Sequence, residues 1–147
     1  MSFYLDSSVL VKRYIAEAGS LRVHEIIDSQ TEIYISDITQ VEVIAALTRR
    51  GKLSREATEV MHQARGDFRK DYASGTFRSV ILTRQLLSEA AKLAERRALR
   101  GYNAVQLATA LKVQQTQPDI PLVLVCADEE LNKAATLEGL TVESVSI

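Results

Sequence analysis

Residues 3–17 read FYLDSSVLVKRYIAE: a short apolar run, an aspartate, two serines, and then a helical pattern. An apolar run of this length, closed by a polar residue and leading into a helix, is how a buried parallel strand reads. The same unit recurs in EIYISD (32–37) and LVLVCAD (122–128). TVESV (141–145), after Gly139, is a fourth candidate strand, and FRSVIL (77–82) a less continuous fifth. Helical stretches are predicted over 7–16, 20–29, 37–50, 54–73, 83–99, 103–115 and 128–138. Ser54 and Thr83 precede periodic segments, and the pairs Asp37/Gln40 and Asn103/Gln106 have the spacing of a helix cap and its third-position partner. Gly51, Gly101 and Gly139 fall near proposed helix ends, where glycine suits the closing conformation. Strands alternating with helices predict a three-layer α/β/α sandwich with a mostly parallel central sheet. The 147 residues fit a single domain, 1–147.

In open sheets of this kind, ligands bind at the carboxyl ends of the strands. Asp6, Asp37 and Asp128 all lie at such ends, so a strand order that brings two of them together creates an acidic pocket. Asp6 and Asp128 are also good helix caps, and Glu129 and Glu130 read as solvated first-turn charges beside the helix dipole. Glu42 is the only charged residue in VEVIAAL (41–47), on a helix apolar around most of its circumference, which predicts burial. A carboxylate there needs a partner such as Arg49, a route to the solvent edge, or a bound cation. Asp6, Glu42 and Asp128 thus offer hard oxygen donors from three elements, a set suited to Mg²⁺ or Mn²⁺. His24 and His62 stand apart on helical stretches, no glycine-rich phosphate loop or nucleophile elbow is present, and Cys126 reads as strand packing.

Composition sets broader bounds. Hydrophobic residues make up 46% and charged residues 25%, ordinary for a globular protein. One cysteine excludes an internal disulfide and fits a reducing cytoplasm. MSFYLDSSVL lacks the cationic region of a signal peptide, and PLVLVCA (121–127) is too short to span a bilayer, so no membrane association is expected. The net charge of −1 argues against a nonspecific nucleic-acid binder, yet charge is unevenly spread. Residues 49–100 hold 13 Lys/Arg against 6 Asp/Glu, and the remainder 5 against 13. A basic, phosphate-facing surface beside an acidic, cation-holding one fits this split, as does a set of solvated helix faces.

Four stretches in order, FYLDSSVLVKRYIAE, ITQVEVIAALTRR, LRGYNAVQLATAL and LVCADEELNKAA, resemble a PIN domain, the ribonuclease fold of VapC-type toxins. The resemblance covers nearly the whole chain. It implies an α/β/α sandwich whose acids bind magnesium or manganese for RNA hydrolysis. By position, Asp6, Glu42 and Asp128 match the first, second and fourth acids, and Ser8 a hydroxyl near them. It also implies an RNA substrate, a small antitoxin partner and a homodimer. The apolar positions of 20–29 and 54–73 fit contact surfaces and equally fit the core. Arg49, Arg50, Arg96, Arg97 and Arg100 are candidate phosphate contacts.

The third acid is where the chain departs from the family pattern, with Asn103 in its place. Asparagine offers a neutral carbonyl oxygen but no anionic ligand and no general base. Mg²⁺ needs only one or two protein carboxylates with water, so one ion remains compatible with this set. A naturally weakened nuclease, a binding-only module or a deliberate aspartate-to-asparagine change all fit. The leading expectation is a metal-dependent endoribonuclease impaired at Asn103. A non-catalytic PIN-like module binding RNA or protein is the alternative. A receiver-like phosphoacceptor fits less well, because Lys133 lies within a predicted helix.

Overall fold

The computed structural model describes residues 1–145. Its strands are β1 (Ser2–Leu5), β2 (Glu32–Ser36), β3 (Arg78–Val80), β4 (Leu122–Cys126) and β5 (Thr141–Ser144). Its helices are α1 (Ser7–Tyr14), α2 (Ser20–Asp28), α3 (Ile38–Gly51), α4 (Arg55–Ser74), α5 (Arg84–Arg97), α6 (Gly101–Thr116) and α7 (Glu129–Leu137). The sheet has the order β3-β2-β1-β4-β5, and all four pairings are parallel.

Side chains alternate across a strand, so each apolar run feeds two cores. Phe3, Leu5, Ile33, Ile35, Val123 and Val125 face one cluster, which α1–α4 complete with Val9, Ile26, Leu47 and Phe68. Tyr4, Leu122, Leu124 and Cys126 face the other, which α5–α7 complete with Leu86, Leu107 and Leu131. The predicted three-layer α/β/α sandwich is therefore the observed one, and the sheet is buried on both faces as its continuous apolar strands require.

The topology also locates the site. From the central β1 the chain builds outward through β2 to β3, then returns to lay β4 on the other side of β1. That reversal leaves a crevice at the carboxyl ends of β1 and β4. Asp6 directly follows β1, and Asp128 follows β4 after Ala127.

Several local expectations change. Asn103 is not a helix cap: α6 starts at Gly101 with Arg100 in the cap position, so Asn103 is already inside the first turn and buried. Gly101 therefore opens a helix instead of closing one, and Ala98 ends α5 in the left-handed conformation at φ 54°. Asp37 occupies the cap position of α3, but its carboxylate turns to Ser79 and Tyr72 and caps nothing. α3 is also not apolar-buried all round. It buries the stripe Thr39, Val43, Leu47 and Gly51 and leaves Val41 67% exposed. On α2 and α4 most apolar side chains serve the core, while Leu21 and Val60 remain on the surface. Gly139, at φ 91°, closes α7 as expected.

Candidate active site

Asp6 is fully enclosed. Its Oδ1 accepts from the Val9 backbone amide at 3.1 Å, which caps α1, and from Ser8 Oγ at 2.8 Å. Its Oδ2 accepts from Ser8 Oγ at 3.0 Å and from the Cys126 thiol at 3.1 Å. Burial raises its pKa against the pull of these bonds, and the charge of Asp128 raises it further. The capping role of Asp6 is thus observed, and its second oxygen is turned to Ser8 and Cys126. Asp128 likewise caps a helix: Oδ1 accepts from the Leu131 amide of α7 at 3.1 Å, while Oδ2 faces α6.

Asn103 faces it from α6 and donates its amide to Asp128 Oδ2 at 3.4 Å. One helical turn on, Gln106 is buried and fully used. It accepts from Tyr4 Oη at 2.6 Å and donates to Thr39 Oγ1 at 3.1 Å and Glu42 Oε1 at 3.2 Å. Gln106 is therefore not the capping partner of Asn103; it holds Glu42 in place. The sequence signal for this role was an amide three residues after Asn103, on the same face of an otherwise apolar helix. Glu42 forms no ion pair with Arg49. Burial pushes its pKa up to about 7, opposed by the Gln106 bond and reinforced by the charge of Asp6.

The strand order thus brings Asp6, Glu42, Asn103 and Asp128 to one sheet edge, with Ser8 on Asp6. Asp37 is left out, held at the β2–β3 side by Ser79. Cys126, expected only to pack, also bonds Asp6, and burial raises its thiol pKa.

Asp128 close enough to raise the Asp6 pKa, Asp6 close enough to raise that of Glu42, and no imidazole among them make an oxygen-donor set of the kind that suits a hard divalent cation. Among the described residues, however, no three His, Cys, Asp or Glu side chains cluster closely enough to hold an ion by themselves. Asn103 lies beside Asp128, and its side-chain carbonyl adds a neutral oxygen donor to the carboxylates. The set fits an ion that keeps much of its water, not one enclosed by protein.

The five candidate arginines separate. Arg49, Arg50 and Arg100 line a groove of about 680 Å³ that also contains Ser8, Glu42 and Tyr102. Arg96 and Arg97 instead grip Glu138, at 2.9 and 2.7 Å, and hold its pKa down. Among the described residues, no helix is long and apolar enough to cross a membrane.

The PIN domain family pattern matches residues 3–137. Ribonuclease VapC45 and Ribonuclease VapC49, both of Mycobacterium tuberculosis, are each 32% identical over 139 residues, 95% of this chain and 92% of the relative. The fold is also that of FitAcB from Neisseria gonorrhoeae, with TM-score 0.66, 18% identity and 95% of each chain covered. PAE2754 from Pyrobaculum aerophilum superposes with TM-score 0.62 at 20% identity, covering 97% of this chain and 89% of that one. A toxin-antitoxin complex from Klebsiella pneumoniae gives 0.60 at 17% identity, over 86% and 87%. Sequence pattern, relatives and fold agree: the chain belongs to the PIN domain family.

Proposed function

We propose that this chain is the toxin of a toxin–antitoxin pair, a metal-dependent endoribonuclease weakened by Asn103. The observation that carries the reading is the pairing of Asp6 with Asp128 at the β1–β4 crevice, with Glu42 within electrostatic reach of Asp6 and an arginine-lined groove alongside. The names of the VapC ribonucleases and of the toxin-antitoxin complex that share the family or fold support it. Asp6 and Asp128 would hold Mg²⁺ or Mn²⁺ with the Asn103 carbonyl oxygen, and Glu42 would close the other side. Such an ion supplies an activated water and stabilises charge building on a phosphodiester during hydrolysis.

The chain's own residues supply the setting. Ser8 and the Val9 amide fix the Asp6 carboxylate, and Gln106 fixes Glu42, so two ligands are oriented before any ion arrives. Asn103 removes one negative charge from the set and spends its amide on Asp128. Both effects weaken cation binding. The action is cytoplasmic, on RNA. A small antitoxin and a second copy of the chain are the expected partners, with exposed Leu21, Leu53 and Val60 as apolar contact positions.

The Asn103–Asp128 contact also favours a second reading, a PIN-like RNA- or protein-binding module without catalysis. RNA cleavage separates the two. Under the first, Asn103→Asp cuts a mixed RNA pool in Mg²⁺ or Mn²⁺, EDTA stops it, and the chain itself is slow or silent. If Asn103→Asp never cuts any RNA with either metal, the second reading replaces it.

A further inference from the structure

The groove beside Glu42 carries an uneven charge pattern. Arg49 lies in the last turn of α3 and Arg100 just before α6, both exposed, and neither forms an ion pair among the described residues. Arg50, their neighbour in the same groove, is bound by Glu17 at 2.8 Å. Glu17 is itself fixed from behind, because the buried Lys12 donates to it at 3.1 Å and to the Ala18 carbonyl at 2.8 Å. Burial pushes the Glu17 pKa up, but its bonds to Arg50 and Lys12 together outweigh that and hold it below the ordinary range. Tyr102 forms part of the wall, its hydroxyl bonded to Ser7.

We infer that this groove is the binding track for a single-stranded RNA segment, in which Arg49 and Arg100 each take a backbone phosphate while Glu17 withholds Arg50. The inference rests on the nuclease reading for the identity of the strand, and adds which cations bind it and which residue limits the footprint. Two unpaired cations and an aromatic wall match a strand of few phosphate contacts. A duplex reader engages about 6–10 phosphates. Glu17 marks the end of the track: a phosphate reaching Arg50 would meet its fixed negative charge. Arg96 and Arg97, committed to Glu138, take no part.

The experiment is fluorescence anisotropy of a short labelled single-stranded RNA against the full chain in EDTA, titrated across salt. With two phosphate contacts the slope of log affinity on log salt is about −1.4, taking about 0.7 per contact for a single strand. Arg49→Gln and Arg100→Gln each weaken binding roughly tenfold at low salt, the size of one charged hydrogen bond. Each also reduces the slope by about 0.7. Arg50→Gln and Arg96→Gln change neither. Glu17→Gln keeps an acceptor for Lys12 but frees Arg50, so it tightens binding and steepens the slope by about 0.7. Adding Arg50→Gln to Glu17→Gln restores the original slope, which separates a freed arginine from a general loosening of the fold.

Equal effects from Arg96→Gln and Arg49→Gln, or a Glu17→Gln gain that survives loss of Arg50, overturn the assignment. So does arginine-dependent binding of polyglutamate with no binding of RNA, which would give the groove to an acidic protein partner. Arginine-dependent RNA binding without cleavage by Asn103→Asp refutes the nuclease reading and leaves the track standing. Cleavage by that variant with no dependence on Arg49 or Arg100 refutes the track alone.

Discussion

The Asn103 side-chain amide donates to Asp128 Oδ2 at 3.4 Å, linking α6 to the N-terminus of α7 across the carboxyl edge of the sheet. The same carboxylate caps α7 through its other oxygen. A neutral amide beside Asp128 adds no charge to the neighbouring acids, and under the proposed function it would also deny a cation one charged ligand. On that proposal, stability without metal and affinity for metal would be set against each other at this position.

Gln106 is the keystone of the polar network, bonded to Tyr4, Thr39 and Glu42. Gln106→Leu keeps similar bulk and strands those groups, two of them in residues with no exposed surface. The expected loss is about 2–4 kcal/mol, since each buried group left unpaired costs about 1–3. At about 2–4 °C per kcal/mol, thermal unfolding should shift downward by roughly 4–16 °C. An unchanged melting temperature would show that the network contributes little.

The raised pKa of Glu42 makes metal-free stability fall as pH rises. In the folded chain Glu42 titrates at about 7, against 4.5 when unfolded. The folded state holds the proton more tightly, so its stabilising contribution is complete below pH 4.5 and is lost as pH climbs through 7. After discounting for partial solvent access, the loss is about 1–2 kcal/mol. Asp6, also raised, acts in the same direction. Denaturant unfolding in EDTA should show a smaller fall between pH 5 and 7.5, as round test points, for Glu42→Gln than for the parent.

Asp6 caps α1, and asparagine caps as well as aspartate does. In EDTA at neutral pH, Asp6→Asn should fold at least as stably as the parent because it removes a buried charge. Asp6→Ala should be about 1 kcal/mol less stable than Asp6→Asn, the worth of a cap. Chemical denaturation of the two variants side by side checks the order, and Asp6→Ala equalling Asp6→Asn would contradict the capping role.

Ala98 closes α5 in a left-handed conformation that a Cβ disfavours. Ala98→Gly relieves that strain, with an expected gain of about 1 kcal/mol, offset in part by the greater freedom of glycine in the unfolded chain. A higher melting temperature is the expected result, and an unchanged or lower one would show that the left-handed conformation costs Ala98 little.

The sheet was legible because parallel strands buried on both faces read as continuous apolar runs, as LVLVC and FYL do. Asp6 and Asp128 followed from their places at strand ends, and Glu42 from its isolation among apolar residues. What the local pattern concealed was register across elements. Asn103 has the composition of a cap, yet α6 begins two residues earlier, and only the packing of α6 against β4 and α7 turns its amide toward Asp128. Gln106 has a capping partner's spacing, but its contacts lie 102, 67 and 64 residues away. The arginines were equivalent in sequence. Glu17 and Glu138, both distant along the chain, decide which of them are free.

Calorimetric titration of Mn²⁺ tests the central claim, that Asn103 stands in an acid's place within a cation site. The chain, Asn103→Asp, and Asn103→Asp with Asp6→Asn added would be compared at neutral pH. Asn103→Asp should bind Mn²⁺ roughly tenfold tighter or more, a gain of about 1.4 kcal/mol, and adding Asp6→Asn should abolish the gain. Equal affinity in the chain and Asn103→Asp, or a gain that persists without the Asp6 carboxylate, would contradict it.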